Sequence, residues 1–414
     1  MGRLRVIVYL FILVFQINPA NAKIIRVGRE HKVKTITEAI KLADPGDTIE
    51  VTEGIYRENL IVSKPVKLRG INFPSINAGD VGDVVLVTAD NVLIEGFKIE
   101  NSGKSSYHEF CGIKVVESNG AVIRNNQFYN NSIGINFRKS HSGIIHDNYI
   151  TTSITDMPVL GNAVHCWNSD SLSIKRNKIS KHRDGIYLEF VKDSDIDENI
   201  VEECFRYGLH FMFSHRDSYK SNIFRRNGAG VAVMYSREVD MTQNLFEYNI
   251  SEISYGLLLK DIAESAIFNN RFVKNSIAIY MEGTNKVEIK NNVFKENGLG
   301  VRLVASSSNN FFSENNFIGN TFDVATNGRS FNNRFQKNYW DKYRGYDLNK
   351  DGIGDVPYRP LSIFSMIAEY NPLAMLFFRS IIANLLDISE RISPTVTPDN
   401  LVDEQPAMKQ IAND

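Results

Sequence analysis

The 414-residue chain carries 47 Lys and Arg against 48 Asp and Glu, so it has no basic excess with which to grip nucleic acid. Its three cysteines, Cys111, Cys166 and Cys204, are an odd number, which argues against a disulfide scaffold; a chain this long buries a core without one.

The first 22 residues read as a secretory signal peptide. Arg3 and Arg5 form a basic n-region, Val6 to Phe15 an apolar run, and Ala20-Asn21-Ala22 the small-x-small cleavage pattern. The run falls short of the roughly 20 residues a membrane span needs. Cleavage after Ala22 leaves 45 basic against 48 acidic residues, a net charge of −3.

Residues 23–95 read as an N-terminal cap and the first coils of a repeat. Thr35-Ile36-Thr37-Glu38 resembles a capping box, and ITEAIKLA continues it as a short amphipathic helix. Asp44-Pro45-Gly46-Asp47 stops that helix, and a β run begins at Thr48.

Residues 96–340 are dominated by self-similarity. A small residue followed by alternating apolar positions recurs at Gly112, Gly134, Ala163, Gly185, Gly208, Gly230, Gly256, Ala278 and Gly300. Successive marks lie 22 to 29 residues apart, and an Asn follows each of the first eight at a fixed distance of 14. Constant internal geometry with a few loop insertions is the signature of a solenoid. Its short segments alternate with period two and are rich in Ile, Val and Phe, so the units are strands. The leucine-and-asparagine consensus of leucine-rich repeats is missing. An all-β, right-handed parallel β-helix of about 22-residue rungs remains, about 4.8 Å per coil and roughly 50 Å long. The Asn marks are read as structural: Asn tolerates a left-handed corner, and stacked amides form a ladder.

Inside and outside follow from strand alternation. Positions one and three past the small residue are apolar throughout, so they line the lumen, and Cys166 is a small buried hydrophobe among them. Positions two and four face outward. Over four consecutive rungs they are His165 and Trp167, Tyr187 and Glu189, His210 and Met212, then Ala232 and Met234. Imidazole with thioether suits soft Cu(I), which makes His210, Met212, Met234 and His165 candidate copper ligands. The same patch, with Trp167, Tyr187, Glu189 and His215, also has the composition of a protein-docking surface. A structural surface covered by the insertion near Thr151 to Leu160 is the third reading. His108, His141, His146 and His182 fall at corners and read as solvated.

The chemistry of a polysaccharide-cleaving β-helix needs clustered outward carboxylates. Glu189 and Glu282 stand alone in the outward columns, and Asp184 beside Arg183 is a weak hint. The chain reads as a non-enzyme, with a polyuronate lyase or epimerase as the alternative.

In residues 341–391, Asp347, Asn349, Asp351, Gly352 and Asp355 match five positions of an EF-hand-like loop. Position twelve is Tyr358 and not the bidentate Glu, so a rigid connector competes with Asp347, Asn349, Asp351 and Asp355 as a candidate calcium site. Residues 361 to 391 are apolar and helix-compatible, interrupted by Glu369, Asn371-Pro372 and Arg379; a C-terminal helical cap is expected, and a span is not. Residues 392–414 read as an extended tail.

Four stretches carry a family resemblance: RDGIYLEFVKDSDIDEN (183–199), RYGLHFMFSHRDSY (206–219), NYWDKYRGYDLNKDGIGDVPY (338–358) and LVDEQPAM (401–408). With them, nearly the whole chain resembles the NosD family, periplasmic β-helix proteins for nitrous oxide reductase maturation. The resemblance implies a periplasmic assembly factor for the reductase's copper–sulphide centre, membrane-associated through an ABC-type permease and its cytoplasmic ATPase. It further implies docking of a copper chaperone and the apo-reductase, with copper handled transiently. It assigns no ligands residue by residue. The chain has no nucleotide-binding loop, so energy would come from the partner ATPase.

Overall fold

The computed structural model describes residues 22–251, 254–304, 306–327, 332–361, 385 and 401–412. The expected signal peptide up to residue 21, and the expected C-terminal helices apart from Leu385, lie outside them.

The chain winds as a right-handed parallel β-solenoid whose three faces are sheets of 14, 12 and 13 strands. The recurrent small residue stands at the start of nine strands of the 12-stranded face. A Cβ on Gly208 would sit 2.6 Å from the carbonyl oxygen of Gly230, so close approach of successive coils selects glycine there. The two apolar positions that follow do fill the lumen: Leu209, Phe211, Val231 and Val233 have no exposed surface. On the 13-stranded face Phe224, Phe246, Phe272, Phe294, Phe317 and Trp340 stack in one inner column, centroids 4.2–5.6 Å apart. Burying such rings is the largest favourable contribution available to a rod this thin.

The asparagine marks form a continuous ladder from Asn126 to Asn338 at one corner. Asn199 is typical. Its N–H and its Nδ2 both donate to Asn222 Oδ1, at 2.9 and 3.0 Å, and Nδ2 also donates to the Ile174 carbonyl at 2.8 Å. The left-handed residue at this corner is not the marked Asn but the one before it, as at Glu198 (φ 56) and Ser221 (φ 57). The mark is therefore explained by the ladder, and the corner conformation by its neighbour.

Both ends are covered. At the front, the helix Ile36–Leu42 is capped as expected, with the Thr35 hydroxyl accepting the Glu38 N–H at 3.2 Å. Glu58 accepts two more N–H groups of that first turn, those of Ile36 and Thr37. At the back, residues 401–412 run as bends and short bridges and are not a free arm. Asp403 and Ala407 bridge in parallel to Phe335 and Tyr339 of the last coil, and antiparallel to Tyr358 and Ile353. Leu401 and Leu361 join the core. Asp403, fully buried, accepts the Asn338 N–H, Asn338 Nδ2 and Trp340 Nε1, each at 3.0 Å.

One buried carboxyl is poorly provided for. Asp217 Oδ1 accepts the Ser194 N–H at 3.0 Å, while Oδ2 is buried without a partner. Burial pushes its pKa up to about 8.

Asn222→Ala leaves the Asn199 N–H without an acceptor and Asn199 Nδ2 with the Ile174 carbonyl alone, and should cost about 2–5 kcal/mol, read as a lower urea midpoint. Asp217 binds a proton in the folded chain from about pH 4 to about pH 8, where the unfolded chain has lost it. Its contribution to stability therefore falls as pH rises through that window. Asp217→Asn keeps the acceptor for Ser194 and should raise the melting temperature at pH 8 while changing it little at pH 4. Equal shifts at both pH values would contradict the assignment.

Candidate functional site

The outer face of the 12-stranded sheet carries the residues singled out by sequence. Parallel register places His165, Tyr187, His210 and Ala232 in one column, and Trp167, Glu189, Met212 and Met234 in the next. The alternation was read correctly, because position-two side chains lie outside the core cluster that holds their neighbours.

Outward does not mean displayed. The rings of His165, Tyr187 and His210 stack face to face, with centroids 4.9 and 4.7 Å apart. Tyr207 tilts against His210 at 4.9 Å, and the Arg206 guanidinium lies over Tyr207. His165 is left 6 % exposed and His210 4 %. The expectation that these imidazoles are presented to solvent is thus corrected: each coil repeats the same site one coil spacing away, so flat rings close over one another. Trp167, Tyr187, Glu189, Met212, Met234 and His215 are half-buried.

Their hydrogen bonds give the two histidines opposite tautomers. Asn136 Nδ2 donates to His165 Nδ1 at 3.4 Å, which leaves the proton on Nε2. His210 Nδ1 lies between Asp184 Oδ2 at 3.4 Å and the Arg206 guanidinium at 3.5 Å; because Arg206 already spends its donors on Asp184, the carboxylate is the better partner, and Nδ1 donating to it leaves a lone pair on Nε2. Both Nε2 atoms are buried without a partner. Burial lowers the pKa of His165 to about 4, so its ring is neutral in ordinary solution.

Asp184 itself has no exposed surface. Arg206 donates to it from Nε at 2.8 Å and from a terminal nitrogen, and the Tyr207 N–H adds a third bond at 3.3 Å. Burial alone would raise the carboxyl's pKa; the Arg206 and His210 hydrogen bonds outweigh it and hold the group below its ordinary value. The weak hint at Asp184 is thus a charged orienting partner for His210, and not part of a carboxylate cluster.

The four candidate copper ligands do not form one centre. His165 and His210 are separated by Tyr187 and by two coil spacings of about 4.8 Å each. Met212 and Met234 are direct register partners on adjacent strands, and His210 lies two residues before Met212 on the same face. Among the described residues no group of three or more His, Cys, Asp or Glu side chains comes together as a metal site. A metal here would have to use the thioethers. His215 lies beyond the strand, its Nδ1 accepting the Arg237 N–H at 3.2 Å.

The candidate calcium loop bonds to itself. Asp347 accepts the Asp351 and Gly352 N–H groups, Asn349 the Asp351 N–H, Asp351 the Ile353 N–H, and Asp355 the Leu348 N–H. These bonds hold the loop in one shape and leave each carboxylate oxygen a further lone pair. His182 is not solvated at a corner as expected; it has no exposed surface, and burial lowers its pKa to about 4. Cys111, Cys166 and Cys204 are buried free thiols whose pKa values burial raises.

Sequence reasoning missed one feature of this face. Five residues past the small residue, Phe190, Phe213 and Tyr235 stack along the edge of the sheet, centroids 5.3 and 5.0 Å apart. The signal was present, three aromatics at one offset in consecutive rungs, but only the first four positions had been assigned a direction.

At pH 8, long-range ¹⁵N–¹H correlation should find the proton of His165 on Nε2 and that of His210 on Nδ1. The His165 resonances should not titrate between pH 8 and roughly pH 5. A midpoint near 6.5, or swapped tautomers, would contradict the hydrogen-bond pattern.

The family described as "Periplasmic copper-binding protein (NosD)" matches residues 42–157 and 151–345. A "Probable ABC transporter binding protein NosD" of Pseudomonas aeruginosa is 29 % identical over 392 residues, 89 % of this chain and 90 % of that protein. A protein of the same description from Stutzerimonas stutzeri is 27 % identical, covering 86 % and 85 %. Among solved structures, the tailspike gp61 of Pseudomonas phage phi297 is similar with a TM-score of 0.55, at 10 % identity and over 73 % of this chain and 72 % of that one. The catalytic domain of a GH87 α-1,3-glucanase reaches 0.52 at 12 % identity, over 78 % and 70 %. These structural likenesses concern the fold alone.

Proposed function

The chain belongs to the NosD family, and from that premise we propose that it is a periplasmic copper-binding assembly factor that carries Cu(I) as transient cargo on the outer face of its 12-stranded sheet. The observation that carries this reading is the Met212–Met234 register pair beside His210. Thioethers are neutral, soft donors that favour Cu(I) over the hard cations of the periplasm. Asp184 accepts a hydrogen bond from His210 Nδ1, which orients the ring and leaves the Nε2 lone pair for a metal, the arrangement second-shell carboxylates commonly produce. His165 lies outside this set because its Nε2 carries the proton and Tyr187 intervenes.

Two neutral thioethers and one imidazole make a site without a full negative charge, which suits cargo that must be handed on. The chain supplies the surface; among the described residues its outer columns bring no carboxylates together as a metal site, and the sequence has no nucleotide-binding loop. We therefore assign energy input to an ABC-type permease and ATPase, in keeping with the names of the relatives. The receiving protein on this reading is apo-nitrous oxide reductase, at its copper–sulphide centre, and the donor is a copper chaperone.

Met212→Ala combined with Met234→Ala should weaken Cu(I) binding, measured by competition with a chromophoric chelator, by roughly an order of magnitude or more. It should also lower the copper content of reductase from cells carrying the variant, with the circular dichroism of the rod unchanged. Reductase copper equal to wild type would reject the role.

A further inference from the structure

The left-handed corner that follows eight consecutive strands of the 12-stranded sheet is occupied, rung by rung, by Glu117, Lys139, Asn168, Phe190, Phe213, Tyr235, Asp261 and Gly283, the non-glycine members at φ 47–54. Polar residues and glycine suit this conformation, whereas a bulky ring there is an outlier. Three rings at consecutive rungs are a departure that the solenoid itself does not require. They do not serve the lumen either: Phe190, Phe213 and Tyr235 are 48 %, 41 % and 38 % exposed. Phe213 has a ring on each face, at interplanar angles of 8° and 16°, while Phe190 and Tyr235 each turn one face to it. An accepted conformational penalty with no return in the core points to a role in binding.

The surroundings say what kind of partner fits. On one side lie Met212 and Met234, half-buried, which widen the apolar strip. On the other, two residues further along each rung, stand Lys192, His215 and Arg237, bridged in register to one another. Lys192 and Arg237 are exposed, and neither forms an ion pair among the described residues, although the adjoining Arg216 is held by Asp193 at 2.7 Å. An aromatic and thioether strip with unpaired cations along one border matches a protein surface that has an apolar centre and an acidic rim.

We infer that the Phe190–Phe213–Tyr235 edge, with Lys192 and Arg237 beside it, is the docking surface for an acidic-rimmed protein partner that exchanges cargo with the adjoining Met212–Met234 pair. This rests on the copper-carrying reading above for the identity of the cargo, but the surface stands on its own geometry.

The test uses the full-length mature chain and, as probes, the two proteins proposed above as cargo donor and acceptor. In one variant Phe190→Asn, Phe213→Asn and Tyr235→Asn are combined; Asn is the residue the same corner already carries at Asn168, so the rod is expected to fold and melt as wild type. In a second, Lys192→Glu and Arg237→Glu reverse the border. Each should raise the Kd for the same partner by roughly tenfold or more, with Cu(I) binding to the chain unaltered. Zero-length carbodiimide coupling of the wild-type complex should join Lys192 to a carboxylate of that partner. Unchanged affinity in both variants, or coupling that never includes Lys192, overturns the surface while leaving the copper reading intact. If the wild-type chain binds neither protein, the assembly reading fails and the surface with it. If both partners bind through this edge but Met212→Ala with Met234→Ala still binds Cu(I) normally, the copper site fails and the surface stands.

Discussion

The structure depends on a column of amide groups that must hydrogen-bond to one another. Each Asn of the ladder spends its Oδ1 on the previous coil and its Nδ2 on the next, so every member is satisfied only while its neighbours stay at one spacing and one height. Such a chain of bonds polarises in one direction and ends in an unanswered donor. Asn338 is that end, and Asp403 meets it with a carboxylate, which accepts and cannot donate. The same oxygen takes the indole N–H of Trp340, where the inner aromatic column stops. One buried charge closes both columns, surrounded by enough donors to offset its desolvation.

Because the ladder fixes the interval between each small residue and its Asn, insertions are confined to the other corners, and the columns of the 12-stranded face stay aligned. Alignment is what turns isolated side chains into a surface. Met212 and Met234 meet, His165 and His210 are screened by Tyr187, and three aromatic rings pile at one corner, all through coil-to-coil register.

That periodic logic also decides what the sequence disclosed. Solenoid fold, strand direction, lumen composition and the capped N-terminal helix all follow from local spacing, and the structure has them. Features that depend on how neighbouring coils fill space were not legible. Alternation says that His210 points outward, but its burial comes from Tyr187 on another rung and from Arg206 and Tyr207 at its own strand's start. Asp403 lies 65 residues beyond Asn338 in the chain, so no repeat pattern connects the two. The tail that closes the rod therefore read as an arm. The asparagine marks were recognised for the right ladder and the wrong corner conformation, since a residue tolerant of the left-handed region stood one place after the one that adopts it. His182 shows the limit of composition alone: an imidazole at a corner reads as solvated unless the neighbouring coil is known to cover it.

A rod of this kind can carry local strain cheaply, because each coil contacts only its neighbours and total stability is close to a sum over coils. Asp217 keeps an unpartnered oxygen in the interior, and Phe190, Phe213 and Tyr235 hold conformations that Asn or Gly would adopt with less strain. In a globular domain with one shared core such departures would loosen packing throughout. Here the stacked coils before and after them remain regular, so the cost stays within three or four rungs. Those are the rungs that carry the half-buried thioethers and the oriented imidazole. The architecture thus separates two demands: the ladder and the inner aromatic column hold the rod, and a short stretch of its outer face is free to depart from what folding alone would select.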